Sequence, residues 1–275
     1  MGDKPLVGVL GAGGFLGRSL VATARRLDLV QIRALKRCQF DLSDPTSWGD
    51  SLRDVDCVVN CAARIDGSTL DVFATNTLNM NYLCDHLRTL KVKKFIELST
   101  GAVYGHCHQP TSPSHGVSPS GDYPISKFLA EQILDRSYHG TLNILRLYCP
   151  WGEQQKMPRL IPRLVREILA GRALHCRSCG GPRLSLTHVD DISEVIIRDF
   201  VLKDNCNRIT NIASNFSYSI EEIAWRIGEV VGVTPCFEFC EGQGDLLSVP
   251  YTNHDWLAFN PDSRFIRAML IGNKQ

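Results

Sequence analysis

A tyrosine followed four residues later by a lysine, Tyr123 and Lys127 in YPISK, is a pair able to move a proton if both sit on one helix face. A free tyrosine, with a pKa of about 10, is a poor base at neutral pH. A nearby ammonium favours the tyrosinate and lowers that value. The phenol could then give its proton to a carbonyl oxygen, or take one from a hydroxyl. Some twenty positions upstream, Thr100 closes the apolar run KKFIELS in STGAVYG, where its hydroxyl could hydrogen-bond the same oxygen. Between Thr100 and VYG stand Gly101 and Ala102, neither of which can exchange a proton.

A second constellation opens the chain. VLGAGGFLG follows an apolar run and leads into a helical pattern, with Gly11, Gly14, Phe15, Leu16 and Gly17 as candidate phosphate-loop residues. The first glycine permits a tight turn, the second lets backbone approach a pyrophosphate, and the third lets helix and strand pack closely. Free N–H groups at the helix start then favour an anion. The next run ends in ALKR, where an acid would hold a ribose 2′-hydroxyl. Lys36 and Arg37 stand there instead and would attract a 2′-phosphate, so NADP is the expected cofactor, with NAD the alternative. In FDL, Asp41 could reach an adenine amino group or cap a turn, and Leu42 lies beside it. Ala62 and Ala63 end VVNCAA and leave room for a cofactor; Asn76 is a candidate for a hydrogen bond near the site or for a helix start.

These residues need a frame. Apolar runs at 5–10, 30–35, 55–63, 93–99 and 142–148 alternate with helical patterns at 15–27, 77–90 and 124–137. Strand–helix alternation with short joints predicts an α/β fold, a doubly wound parallel sheet of Rossmann type over residues 1–148. After Tyr148 the rhythm changes. Helices are expected at 159–173, at 189–202 with Asp190 and Asp191 in the first turn, and at 219–232 with a Ser219–Glu222 capping box and Gly232 as the stop. RITNIA (208–213) could return to the main sheet, so residues 149–275 read as a smaller lobe interleaved with its last strands.

Bulk properties narrow the classes. The 275 residues are 44% hydrophobic and 21% charged with a net charge of +1, which gives no broad attraction to nucleic acid or anionic membrane. No run approaches the roughly 20 apolar residues of a membrane span. Met1–Pro5 lacks a basic stretch leading into an apolar segment, and the expected location is cytoplasmic. Eleven cysteines sit mostly in apolar runs, where a free thiol behaves as a small hydrophobe. CRSC (Cys176–Cys179) beside His175 has metal-type spacing but no second pair beyond Cys236 and Cys240, and HCH (His106–His108) reads as solvated loop; no metal site is expected.

Together the glycine loop, FDL, VVNCAA, STGAVYG, YPISK, HVDD and LAFNP resemble the extended short-chain dehydrogenases/reductases, the NAD-dependent epimerase/dehydratase group. The resemblance covers nearly the whole chain. It implies Thr100, Tyr123 and Lys127 as catalytic residues, Lys127 with a further role at the nicotinamide ribose, and a C-terminal lobe for a nucleotide-sugar substrate. Members that dehydrate nucleotide sugars carry an Asp–Glu pair at the positions of Gly101 and Ala102, so dehydration is not expected. A nucleotide-sugar 4-ketoreductase is the first reading. A 4-epimerase, a reductase of another small carbonyl and a non-enzymatic dinucleotide sensor are the alternatives. Arg183 in GGPRLSL is a candidate pyrophosphate clamp, since guanidinium grips phosphate with two hydrogen bonds. It stands one position from the family's usual Arg, and Cys149 stands where Asn is common. The resemblance also implies a homodimer formed through two helices per subunit.

Overall fold

A computed structural model of the chain describes residues 4–107, 110–152, 155, 159–177, 183–203, 209–214, 216–240 and 247–248. His108, Cys179 and the LAFNP motif lie outside the described residues.

The apolar run at the start forms β1 (Leu6–Leu10), followed by α1 (Phe15–Leu27), whose C-terminal end closes on Asp28 in the left-handed region. β2 (Gln31–Leu35) and β3 (Cys57–Asn60) follow. Before the helix expected at 77–90 lies a short one that periodicity does not announce, α2 (Thr69–Phe73), capped by Ser68 accepting from the Asp71 N–H. A π-helical turn over Ala74–Leu78 joins it to α3 (Met80–Thr89). Next come β4 (Lys94–Thr100), a 3-10 turn at Gly101–Tyr104, α4 (Asp122–Ser137) and β5 (Thr141–Leu147). Further on are β6 (Pro150–Trp151), α5 (Leu160–Leu169), β7 (Leu174–Arg177), β8 (Arg183–Leu184), β9 (Thr187–His188), α6 (Val189–Val195), β10 (Ile209–Ile212), α7 (Ile220–Val231), β11 (Phe237–Cys240) and β12 (Leu247–Ser248).

The chain divides into two compact units. The first holds residues 1–105, 113–147 and 189–212. Its six strands are all parallel, in the order β2-β1-β3-β4-β5-β10. RITNIA does return to this sheet: Ile209–Ile212 pairs with Ile144–Leu147. The chain leaves β1 for β2 on one side and re-enters at β3 on the other, so the winding reverses at β1/β3, where such sheets open a crevice beyond their strand ends. Parallel strands buried on both faces explain the near-continuous apolar runs. Val7, Val9, Val58, Val59, Phe95 and Ile96 are buried there. Helices flank the sheet: α1 packs with α6, through the Ser19 hydroxyl donating to Asp190 at 2.6 Å, and α3 packs with α4.

The second unit holds residues 106–112, 148–188 and 213–275. Its core joins Trp151, Ile161, Leu164, Ile168, Ile223 and Ile227 from β6, α5 and α7. The capping box at α7 forms as expected, with Glu222 accepting from the Ser219 N–H at 2.7 Å and Gly232 left-handed at the stop. β7 pairs with β11, which places the Cys240 thiol 3.5 Å from the Cys176 carbonyl. Among the described residues no helix is long and apolar enough to cross a membrane, and no three His, Cys, Asp or Glu side chains gather as metal ligands.

Candidate functional site

Two glycines of the first loop have no alternative. Gly11 has a φ of +70°, and a Cβ there would come within 2.7 Å of the Ala62 backbone. At Gly17 a Cβ would meet the Gly11 carbonyl oxygen at 2.3 Å. The loop therefore folds onto itself and onto the end of β3, as close βα packing demands. It forms one wall of a cleft of about 460 Å³. Lys36, Arg37, Asp41 and Leu42 form another wall, with Cys61, Ala62, Ala63 and Arg64 beyond β3. Gly13, Cys38, Phe40 and Thr75 complete the lining together with Gly11 and Gly14. Small walls, a helix N-terminus and three cations suit the adenosine and pyrophosphate parts of a dinucleotide. Phe15, Leu16 and Gly17 open α1 beside the cleft without lining it.

Asp41 is committed to its own turn. Its carboxylate accepts from the Ser43 N–H at 2.9 Å and hydroxyl at 2.6 Å, and from Arg37 Nε at 2.8 Å. Burial opposes its ionisation, but the Ser43 and Arg37 hydrogen bonds outweigh it and hold the carboxyl below its ordinary value. Among the described residues of the cleft wall the acid, Asp41, is thus paired to Arg37, while Lys36 is exposed along it.

Asn76 is a buried brace. Its Oδ1 accepts from the Arg64 N–H at 2.8 Å, and its Nδ2 donates to the Arg64 carbonyl at 2.8 Å and the Ser126 hydroxyl at 3.0 Å. The Ser126 hydroxyl donates in turn to the Tyr123 carbonyl at 2.8 Å. One asparagine thereby ties the cleft wall to the first turn of α4. Thr69 fixes the same turn by donating to Asp122 at 2.6 Å.

Tyr123 is half-buried in that turn, with Pro124 next to it, and Lys127 follows one turn later on the same face. Thr100 ends β4, and its Oγ1 accepts from the Ala102 N–H at 3.2 Å, which leaves its own proton to donate elsewhere. Gly101 is buried and Ala102 exposed in the turn that follows.

Lys127, expected to act on Tyr123 and the nicotinamide ribose, also has an acid partner. It is 1% exposed and donates to Oε1 of Glu97, itself 0% exposed on β4. Burial alone would lower Lys127, but Glu97, Tyr123 and Glu131 outweigh it and raise it above its ordinary value. Burial pushes Glu97 up, against Lys127 and Asn60. The sequence reading missed Glu97; its signal was an acid set among the apolar residues of FIEL within β4. It also missed Arg64 and Cys61 in the cleft wall, which only the loop after β3 brings there. Beside Glu97, Glu131 takes two hydrogen bonds from Arg146, at 3.1 and 2.6 Å, and one from Ser99. Arg146 also stacks on Tyr104, at 4.8 Å from its ring centre.

Arg183 lies in the second unit, where its guanidinium is already held by the Ser217 carbonyl at 2.6 Å, the Ser217 hydroxyl at 3.2 Å and Glu222 at 3.1 Å.

A family model described as "NAD dependent epimerase/dehydratase family" matches residues 7–213. The low-salt glycan biosynthesis protein of Haloferax volcanii is 26% identical over 240 residues, covering 82% of this chain and 76% of that protein. The dTDP-4-dehydrorhamnose reductase of Mycobacterium tuberculosis is 31% identical over 134 residues, 45% of this chain and 43% of its own length. In fold, the UDP-glucose 4-epimerase of Thermotoga maritima, solved with UDP-glucose, superposes with a TM-score of 0.80 at 19% identity, covering 98% of this chain and 100% of that one.

Proposed function

The chain belongs to the NAD-dependent epimerase/dehydratase family and is an enzyme of the extended short-chain dehydrogenase/reductase type, and from that premise we propose that it is an NADP-dependent nucleotide-sugar 4-ketoreductase. The observation that carries the reading is the pairing of Tyr123 and Lys127 on α4 with a strand end, Thr100-Gly101-Ala102, that holds a hydroxyl and no acid. A bound nicotinamide dinucleotide would supply hydride to the ketone carbon. The glycine loop, Ala62 and Ala63 would hold it, with Lys36 and Arg37 receiving a 2′-phosphate. Tyr123 Oη gives its proton to the ketone oxygen, help worth about 10²–10⁴-fold in rate. The Thr100 hydroxyl, its acceptor side engaged by Ala102, donates to the same oxygen. Reductive chemistry needs no base for carbon deprotonation, which agrees with Gly101 and Ala102. The nucleotide-sugar substrate is supported by the relatives' names, a reductase among them.

The test is product identification. Incubation with a nucleotide 4-keto-6-deoxy sugar and NADPH should consume NADPH and yield the 4-hydroxy sugar. A nucleotide hexose converted to its C4 epimer without net NADPH loss would replace this reading with epimerisation, and a 4-keto-6-deoxy product from a nucleotide hexose would replace it with dehydration. The enzyme is further proposed to be a homodimer. Leu78, Tyr82 and Leu129, on the α3 and α4 side of the first unit, are exposed apolar side chains that a second copy would cover.

A further inference from the structure

Glu97 occupies a central strand position where parallel sheets buried on both faces carry apolar residues. It is fully enclosed on β4, and two further elements, β3 and α4, converge on it. Asn60, its register partner on β3, donates Nδ2–H to Oε2 at 2.8 Å. The Asn60 side-chain Oδ1 accepts the N–H of Ala62, a residue of the cleft wall, at 3.0 Å. Lys127, from α4, donates to Oε1. The other acid of this seam, Glu131, is neutralised by Arg146 through two hydrogen bonds. Glu97 is therefore the carboxylate that compensates Lys127.

We propose that Glu97 is a positioning residue of the reaction centre: held by Asn60, its carboxylate fixes the Lys127 ammonium one helical turn from Tyr123 and cancels most of that ammonium's field there, so that Tyr123 stays protonated as a donor. The physical reason is charge. A lone ammonium near a phenol stabilises the phenolate. An ammonium in contact with a carboxylate is a dipole whose field falls off faster, and here neither partner is solvated enough to separate. Reduction of a ketone begins with the phenol protonated, whereas oxidation of an alcohol begins with the phenolate. A neutral Glu97–Lys127 pair thus biases the site toward reduction. The groups that face Lys127 are Tyr123 and Glu131 on α4, Glu97 on β4, and Cys61 after β3, with Arg146 of β5 behind Glu131.

The inference rests on Tyr123 as the acid, yet its test needs no turnover. The tyrosinate absorbance of the unliganded protein is titrated with pH, and each protein is read against its own Tyr123→Phe counterpart to isolate Tyr123. Glu97→Gln keeps the shape and removes the compensating charge, so the Tyr123 midpoint should fall by roughly 1–3 pH units, the usual effect of a nearby opposite charge. Glu97→Gln with Lys127→Met removes both charges, so the midpoint should stay at the wild-type value. This double variant buries no unpaired charge at the two positions and keeps the test open if the single variant does not fold. An unchanged midpoint in Glu97→Gln, or a raised one in the double variant, would overturn the proposal by showing that Lys127 acts on Tyr123 unopposed. Failure of the acid assignment would instead appear as full turnover by Tyr123→Phe, whatever the titration shows.

Discussion

At the scale of single residues, the proposed chemistry needs one proton and one hydrogen bond. Tyr123→Phe removes the proton delivered to the ketone oxygen. It should lower kcat by roughly 10²-fold or more with NADPH affinity nearly intact, checked by turnover and by cofactor fluorescence titration. Thr100→Ala should be milder, because it removes a single hydrogen bond, worth about 0.5–1.5 kcal/mol in kcat/KM. Cofactor choice is decided by equally few groups. The acid of the cleft wall, Asp41, is paired to Arg37 at 2.8 Å, which leaves Lys36 to set the sign of the potential beside that pair. NADPH should therefore give a higher kcat/KM than NADH, and Lys36→Asp should reverse or erase the difference.

Elements act through the seam between β4 and α4. Every fourth residue of the helix, Tyr123, Lys127 and Glu131, falls on one face. The alternate strand residues Glu97 and Ser99 meet that face with their own polar groups. Each buried charge is paired, and breaking one pair leaves its partner stranded. Arg146→Met, which strips Glu131 of a two-pronged partner, should cost about 3–5 kcal/mol in chemical denaturation. The Lys127 pair predicts a pH limb. Its folded-state pKa lies above the ordinary value of 10.5, so its contribution is complete below that pH and is lost as pH rises through the folded value. Thermal midpoints of the wild type should fall above about pH 10 more steeply than those of a protein carrying both Glu97→Gln and Lys127→Met.

For the whole molecule, two measurements report on assembly and ligand. Tyr82→Asp replaces the exposed aromatic side chain of α3 with a charge, and should convert the proposed dimer to a monomer in analytical ultracentrifugation. A cofactor that binds only the folded state stabilises it by mass action. NADPH should raise the melting temperature more than NADH at equal concentration, a readout of cofactor choice that does not depend on knowing the sugar.

Much of this protein is legible in its sequence, because much of it is governed by short-range chemistry. Gly17 is demanded by contacts made within the first βα joint, and Gly11 by the left-handed backbone it adopts there. The spacing of Tyr123 and Lys127 follows from 3.6 residues per turn, and the Ser219–Glu222 cap is closed by residues three apart. The parallel sheet is written in apolar runs that fail to alternate. Other features depend on residues distant in sequence, and only tertiary packing could decide them. Asn60, Glu97 and Lys127 lie 37 and 30 positions apart, and they meet because β3 and β4 are neighbours in register beneath α4. Asn76 meets Arg64 and Ser126 across 12 and 50 positions. Period and spacing reveal which face a residue takes, but not which charge waits on the opposite face. The sequence alone thus determined that Lys127 would stand beside Tyr123, while the fold decided that its charge would already be answered.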